Sequence, residues 1–287
     1  MRTPLSRWLG RGALGNRSPS EYWDQIARQM ADRHYRYEPL AEHVSSITLG
    51  LLARWGDAKN SKRIMKTDLF EEAFRSRQIM FDVARVNSSV VGIDVSREIT
   101  YRAKARSRQY GPDLGDYVCC DVRQLPFLTD SIDLVISTST LDHFSEEEDI
   151  LVALRELSRV LGPGGTLILT MDNKSNLTYP LIRLWMALGL APFFIGKTYS
   201  ISELKSRLKS SGFSVEDATA IFHCPHPFAL VKRALPLLHQ VGRGKFDDKI
   251  RKGLDFLDRL ERRGTKYLTG RFIAVKAVKR DTAQTGQ

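Results

Sequence analysis

Short apolar runs alternate with amphipathic segments through the middle of the 287-residue chain, from about residue 63 to residue 171. The runs are rich in β-branched residues, as buried strands are, and the segments between them repeat apolar positions at helical spacing. The predicted strands cover residues 64–65, 90–95, 117–120, 132–137 and 166–171. Strands that alternate with helices in this way are typical of a mainly parallel sheet covered on both faces.

Helical patterns and strand signals flank this core. Residues 20–60 have a helical pattern, and Ser20 can cap the first helix of this layer. The core helices are predicted at 71–85, 97–109 and 146–161, and a glycine turn is predicted at 162–165. Ser200 caps a further helix that Gly212 ends, and strands at 213–222 and 271–278 complete the sheet as an antiparallel hairpin at its edge. The pattern predicts an α/β fold: a Rossmann-like, doubly wound, mainly parallel seven-stranded sheet with added N-terminal helices.

The domain organisation follows from these patterns. Residues 1–60 form a basic tail and helical layer, 61–280 one α/β domain, and 281–287 a tail. Within the domain, residues 177–199 are rich in apolar and aromatic residues and read as a lid over a lipid-like acceptor or as a membrane-docking helix. Burial within the domain explains the same pattern equally well. Residues 226–265 read as a basic helical insertion.

Charge separates the edges of the chain from its centre. The net charge is +11, of which residues 1–20 carry +4 and residues 232–271 carry +7. Basic edges suit an anionic membrane, a nucleic acid or an acidic substrate, although a solvated helix face gives the same pattern. The three cysteines show no metal-ligand or disulfide spacing, so we expect no metal site and a reducing, cytoplasmic setting.

Two strand-end acids are the first candidate site residues. Ligands of open parallel sheets bind at the carboxyl ends of the strands, near the point where strand order reverses. Asp94, at the end of the second strand, can accept hydrogen bonds from both hydroxyls of a ribose. Asp121, at the end of the third, can accept from an adenine amino group, with the amide of Val122 facing a ring nitrogen.

Four motifs in order resemble the class I S-adenosylmethionine (SAM)-dependent methyltransferases. They are Val-Gly-Ile-Asp94-Val-Ser, Cys-Asp121-Val-Arg-Gln-Leu-Pro-Phe, Ser131-Ile-Asp-Leu-Val-Ile-Ser and Arg159-Val-Leu-Gly-Pro-Gly-Gly-Thr-Leu. The resemblance spans about residues 63–174 and the final hairpin. It implies SAM as the cofactor, held by Asp94, Asp121 and Val122.

The first motif departs from the family pattern. Where the family has a strand-end acid and a glycine-rich loop, this chain reads Ile-Met-Lys66-Thr67-Asp68-Leu-Phe-Glu71. Glycines allow the backbone to approach a cofactor closely. Three interpretations remain open: Lys66 meets the SAM carboxylate while Asp68 or Glu71 meets its ammonium; Asp68 and Glu71 cap a helix beside an altered pocket; or a different anionic ligand binds Lys66.

Residues after the fourth and fifth strands are candidates for the acceptor side. His143 follows the fourth strand with a pKa suited to a general base, although a packed histidine explains it as well. Ser137, at the end of that strand, is instead expected to contact the cofactor, as is Thr67. Asn173 and Tyr199 could border the substrate.

The resemblance therefore predicts methyl transfer from SAM to a small or lipid-like acceptor, with peripheral contact to an anionic membrane. The alternative is a methyltransferase-like protein that does other chemistry or only binds a ligand. A nucleic-acid partner is the least favoured because no nucleic-acid-binding module is present.

Overall fold

A seven-stranded sheet forms the centre of the protein. The computed structural model describes residues 18–31, 38–87, 89–111, 114–188, 194–225 and 243–280. The strands are β1 (Ile64–Thr67), β2 (Val90–Asp94), β3 (Asp116–Cys119), β4 (Ile132–Thr138), β5 (Leu161–Asp172), β6 (Phe213–Ile221) and β7 (Phe272–Lys279). Their order in the sheet is β3-β2-β1-β4-β5-β7-β6. The pairs among β1–β5 are parallel, and β7 runs antiparallel between β5 and β6. The predicted Rossmann-like fold and the terminal hairpin are confirmed.

The strand order reverses between β1 and β4. The chain moves outward through β2 and β3 on one side of β1 and through β4 and β5 on the other. Thr67 and Ser137 are register partners at the carboxyl ends of β1 and β4. Because loops diverge to opposite sides at such a point, a crevice opens there for a ligand.

Helices cover both faces of the sheet. They are α1 (Pro19–Ala31), α2 (Glu38–Trp55), α3 (Phe70–Phe74), α4 (Ile79–Ala84), α5 (Arg97–Ser107), α6 (Glu147–Val160), α7 (Tyr179–Ala187), α8 (Ile201–Ser210), α9 (Arg243–Asp258) and α10 (Lys266–Thr269), with 3₁₀ turns at Leu141–His143 and Arg259–Arg262. Ser96 caps α5 by accepting from the Ile99 amide, and Ser200 begins α8 with a capping box that includes Glu203. Both caps match the sequence prediction.

Two predicted elements differ in the structure. The helix predicted at 71–85 is divided into α3 and α4, because Arg75 and Gln78 take extended backbone conformations and the Glu72 carboxylate accepts from the Met80 amide at 2.8 Å. The glycine turn predicted at 162–165 lies inside β5. Leu161 already pairs with Ile132, and the register then shifts.

The core lies on both sides of the sheet. Alternate residues of β5 belong to different apolar clusters: Leu167 and Leu169 pack against α6 and α8, whereas Ile168 packs with residues of α2, α4 and α5. Leu51 of α2 is fully buried in the second cluster, so the N-terminal helical layer shares the core of the domain.

Some predicted features lie outside the described residues. These are the basic tail at 1–17, residues 226–242 of the basic insertion, residues 189–193 of the predicted lid, and the tail at 281–287. Among the described helices, none combines the length and the apolarity that a bilayer-spanning helix needs.

Candidate functional site

The loops at the carboxyl edge of the sheet carry unusual backbone conformations. Asp68 after β1, Ser139 after β4 and Phe222 after β6 have φ values of 67°, 47° and 55°. Left-handed backbone is strained for residues other than glycine, and such residues cluster at functional sites. Of the four described non-glycine residues with positive φ, these three share one edge, and only Asp130 lies elsewhere. The backbone therefore marks the same edge that the sequence predicted as the site.

A buried ion pair occupies the end of β1. The Nζ of Lys66 lies 3.0 Å from Oε2 of Glu72, and both side chains are completely buried. Lys66 also donates to the Asp68 carbonyl. Burial disfavours the charged lysine, but the carboxylates of Glu72, Glu71 and Asp68 outweigh it and raise the pKa of Lys66. Lys66 is thus neutralised inside the protein by a residue that the sequence did not single out.

Asp68 makes the turn that follows β1. Its Oδ1 accepts from the Phe70 amide at 2.7 Å, which stabilises the left-handed conformation. Aspartate is one of the few residues other than glycine that adopts this conformation readily. The chain therefore turns sharply after β1 without a glycine. Of the predicted capping pair, Asp68 accepts from the first amide of α3, whereas the N-cap residue Leu69 makes no side-chain capping bond.

Hydroxyl groups join the ends of β1 and β4 at the switch point. The Oγ1 of Thr67 lies 3.0 Å from Oγ of Ser137 and 2.6 Å from Oγ1 of Thr140. Thr67 and Ser137 are both fully buried. The two predicted residues are therefore brought together, and they fix the spacing of the loops that face the crevice.

Carboxylates outnumber cations around the β1 loop. Burial raises the pKa of Asp68, and it raises the pKa of Glu71 to about 7. Burial and the charge of Asp68 raise the pKa of Asp94 to about 7. The Oε2 of Glu71 is buried and has no hydrogen-bond partner among the described residues. Since Lys66 is already paired with Glu72, these three carboxyl groups can accommodate a positively charged ligand group.

The Asp94 carboxylate accepts hydrogen bonds from the loops that follow β1 and β2. Its Oδ2 accepts from the Leu69 amide at 2.9 Å and its Oδ1 from the Ser96 amide at 2.8 Å. Each carboxylate oxygen has two acceptor positions, so one remains on each oxygen. Asp94 can therefore still accept from two hydroxyls.

Asp121 is engaged by a neighbouring arginine. Arg123 donates to both oxygens of Asp121 and also to Asp149 at 2.7 Å, and its guanidinium lies 5.2 Å from the centre of the Phe144 ring. Burial opposes ionisation of Asp121, but these hydrogen bonds hold its pKa below its usual range. Val122 is buried in the core. An adenine amino group would have to share Asp121 with Arg123.

His143 is held in one tautomer. Its Nδ1 lies 2.7 Å from the carbonyl oxygen of Phe194. Because a carbonyl only accepts, Nδ1 must donate its proton, which leaves Nε2 as the acceptor nitrogen of the neutral ring. The edge of the ring packs against Trp23 of α1, with centroids 4.7 Å apart. This arrangement suits a base that takes a proton on Nε2.

Two acids and an arginine line the adjoining edge of β4, β5 and β7. Oδ2 of Asp142 accepts from the Asp172 amide at 2.7 Å, whereas its Oδ1 is buried without a partner in the described part of the chain. Burial and the charge of Asp142 raise the pKa of Asp172 to about 7. The guanidinium of Arg271 stacks on the rings of Phe222 and Phe272 at 5.9 and 5.5 Å. This edge offers polar groups to an acceptor.

The side chains of Asn173 and Tyr199 are used by the fold. The Nδ2 of Asn173 donates to the carbonyls of Tyr267 and Gly270, and its Oδ1 accepts from the Ser175 amide. Tyr199 is 2% exposed within the core, and burial raises its pKa to about 12. We therefore do not include either residue among the acceptor contacts.

Helix α1 lies against the loops of the site, which the sequence did not indicate. Its Asp24 accepts from the Ser96 hydroxyl and from the Glu98 amide at 3.1 Å, at the start of α5. The hydroxyl of Tyr22 accepts from the Phe194 amide at 3.2 Å. The prediction that Ser20 begins this helix was wrong by two residues: α1 starts at Pro19, and Ser18 exchanges hydrogen bonds with Glu21 at its start. The partners of α1 are more than 70 residues away along the chain.

Comparison with known proteins identifies the domain. A family model described as "Methyltransferase domain" matches residues 59–169, from the approach to β1 into β5. This segment of the chain is therefore similar to the methyltransferase domains of that family. A probable S-adenosylmethionine-dependent methyltransferase from Mycolicibacterium smegmatis is 27% identical over 150 residues, 50% of each chain. The chain spans half or less of the length of the curated relatives it matches.

Solved structures of other proteins share the fold over most of this chain. The [4+2]-cyclase SpnF superposes with a TM-score of 0.59 and 19% identity, covering 91% of this chain and 94% of its own. The phosphoethanolamine N-methyltransferase 2 of Haemonchus contortus, in complex with S-adenosyl-L-methionine, superposes with a TM-score of 0.55 and 18% identity. This match covers 82% of the present chain and 53% of the H. contortus chain. The family model ends in β5, so α7, the terminal hairpin and α1 lie outside the matched methyltransferase segment.

The residues of the site fit the cofactor of the class I methyltransferases. SAM carries an ammonium and a sulfonium, and a cation bound beside Glu71, Asp68 and Asp94 would favour the ionised form of these carboxyl groups, which burial disfavours. The interpretation that Lys66 meets the cofactor carboxylate is not favoured, because its ammonium is already bonded to Glu72 and to the Asp68 carbonyl.

Proposed function

We propose that this protein transfers a methyl group from SAM to a small or lipid-like acceptor at the carboxyl edge of the sheet. The observation that carries the proposal is the cluster of the Asp68, Glu71 and Asp94 carboxyl groups at the ends of β1 and β2, in which Oε2 of Glu71 has no partner among the described residues, within the segment that matches a methyltransferase domain. A cation bound there would relieve the repulsion among Asp68, Glu71 and Asp94.

In this proposal the chain binds the cofactor through residues on three strands. Asp94 accepts from the ribose hydroxyls with its remaining lone pairs, Asp68 and Glu71 face the ammonium, and Asp121 with the Val122 amide faces the adenine. Thr67 and Ser137 set the spacing between the loops through their hydrogen bond. Lys66 acts indirectly, by pairing with Glu72 and fixing the carbonyl of Asp68.

His143 is the proposed base for the acceptor. When bound, SAM supplies an electrophilic methyl group, so the reaction depends mainly on positioning and on exclusion of water. Nε2 of His143 would take the proton that an oxygen or nitrogen acceptor loses, while Nδ1 stays bonded to the Phe194 carbonyl. Asp142 and Arg271, with buried side-chain atoms that lack partners in the described chain, would contact polar groups of the acceptor.

The same proposal includes the class of the acceptor and the cellular location of the protein. The H. contortus enzyme named above is a phosphoethanolamine N-methyltransferase, which supports a small acceptor. The exposed apolar residues of α7, beside the site, support a lipid-like one. We expect a cytoplasmic protein with peripheral contact to an anionic membrane.

Calorimetric titration with SAM and with S-adenosylhomocysteine tests the proposal. Micromolar binding of either ligand is expected, and Asp94→Asn and Glu71→Gln should both weaken SAM binding. Exposed Glu148 offers a control, since Glu148→Gln removes a carboxylate that pairs with Arg155 on the surface of α6. Absence of binding by a protein with a cooperative thermal transition would contradict the proposal and favour a methyltransferase-like protein with other chemistry or another ligand.

A further inference from the structure

Helix α7 presents a continuous apolar face to solvent. Leu177, Leu184 and Leu188 are 70%, 54% and 61% exposed, and Leu181 between them is half-buried. The spacing of three or four residues places Leu181, Leu184 and the C-cap residue Leu188 on one side of the helix, and Leu177 lies in the turn just before it. Single exposed leucines are normal on protein surfaces, but a contiguous apolar stripe marks an interaction site.

The opposite side of α7 is fixed to the domain. Ile182 is buried, and the hydroxyl of Tyr179 bonds Thr198 at 2.6 Å. Arg183, the only charged residue of the helix, donates to the carbonyls of Ile195 and Gly196 at 3.1 and 3.2 Å. The one cation that could make the outer face polar is therefore turned inward.

Basic residues adjoin the apolar face. The Leu177 amide donates to the carbonyl of Leu268 at 2.9 Å, and Leu268 is itself 44% exposed. The segment 259–268 that leads to it has four Lys or Arg and one Asp or Glu. Arg262 and Arg263 in this segment are exposed and form no ion pair with any residue that the structure describes. The apolar stripe and the basic segment therefore meet at the contact between Leu177 and Leu268.

We propose that this surface, Leu177, Leu184, Leu188 and Leu268 with Arg262 and Arg263, docks the protein on an anionic lipid bilayer. We call it the docking face. Exposed leucines can enter the acyl boundary while arginines meet the headgroups, the combination by which peripheral helices bind membranes. The positive charge matches an anionic lipid surface better than an uncharged one or a second copy of this basic chain.

The docking face is connected to the proposed base. Arg183 holds residues 195 and 196, and the adjacent carbonyl of Phe194 holds Nδ1 of His143. Helix α7 follows β5 at the same edge of the sheet. A docked protein would therefore turn the acceptor side of its site toward the bilayer, which gives a membrane lipid access. This last step rests on the proposed methyl transfer, whereas the docking face specifies the surface that makes the proposed membrane contact.

Flotation with phosphatidylcholine vesicles, with and without about one-third phosphatidylglycerol, tests the docking face with the full chain. We expect binding to the anionic vesicles, weakened by high salt. Leu184→Glu with Leu188→Glu should lower the bound fraction at least about tenfold. Arg262→Glu with Arg263→Glu should lower it at least about tenfold for the anionic vesicles. Leu128→Glu is the matched control, since Leu128 is 79% exposed in the connection before β4 and should leave binding unchanged.

Other outcomes would overturn the inference. Equal binding by wild type and the leucine double variant, or no binding to anionic vesicles, excludes the docking face as a membrane surface. A dimer in light scattering that the same variant dissociates would instead identify a contact between copies of the chain. Thermal melts confirm that the variants fold, and calorimetry with S-adenosylhomocysteine separates this result from the proposed function, since the variants should keep wild-type cofactor affinity.

Discussion

Removing one partner of the Lys66–Glu72 ion pair should destabilise the protein strongly. The two charges lie 3.0 Å apart with no exposure to solvent, and Glu72 also accepts from the Met80 amide, which joins α3 to α4. Lys66→Met leaves Glu72 buried without its cation, and Glu72→Gln leaves Lys66 without its anion. Loss of one member of a buried pair costs about 3–5 kcal/mol. For a domain of this size that corresponds to a fall in Tm of roughly 6–20 °C.

Chemical denaturation of the two single variants and the double variant Lys66→Met/Glu72→Gln measures this coupling. The double variant should be less destabilised than the sum of the two, by at least about 1 kcal/mol. Lys62→Met, at an exposed lysine four residues earlier, is the control and should change stability by less than about 0.5 kcal/mol. Additive single effects would refute the pairing. A loss of SAM affinity in Lys66→Met but not in Glu72→Gln would restore a direct cofactor contact for Lys66.

Three further predictions concern the site. Asp94→Ala should weaken binding of S-adenosylhomocysteine by about 1.5–3 kcal/mol in calorimetry, since it removes hydrogen bonds to a charged acceptor, and unchanged affinity would remove the ribose assignment. Because the pKa of Glu71 and of Asp94 is raised to about 7, the folded protein holds protons that the unfolded chain has lost. The free energy of unfolding should therefore fall from about pH 4.5 to about pH 7 and then level off. The double variant Glu71→Gln with Asp94→Asn should show a smaller fall over the same pH range. Once an acceptor is found, His143→Gln should lower kcat about 10²–10⁴-fold with SAM affinity unchanged, and an unchanged kcat would exclude it as the base.

Local signals in the sequence were sufficient for most of the fold. The alternation of strands and helices depends on residue spacing, and caps such as Ser96 and Ser200 bond to amides three residues later. The strand-end positions of Asp94 and Asp121 could be read for the same reason. The division of the predicted 71–85 helix could not, because it depends on Glu72 leaving the helix surface to pair with Lys66 in the interior.

The α/β fold and the edge of the sheet that carries the candidate site could be predicted from the sequence alone, since strand ends and their order follow from short-range patterns. The bonding partner of each candidate side chain became known only from the folded structure. In the folded protein Lys66 pairs with Glu72, and Asp121 pairs with Arg123. Trp23 packs against His143, and Arg183 donates to a backbone carbonyl on the inner side of α7. A charged or polar group takes the partner that packing brings within bonding distance once water is excluded, and packing depends on residues distant along the chain.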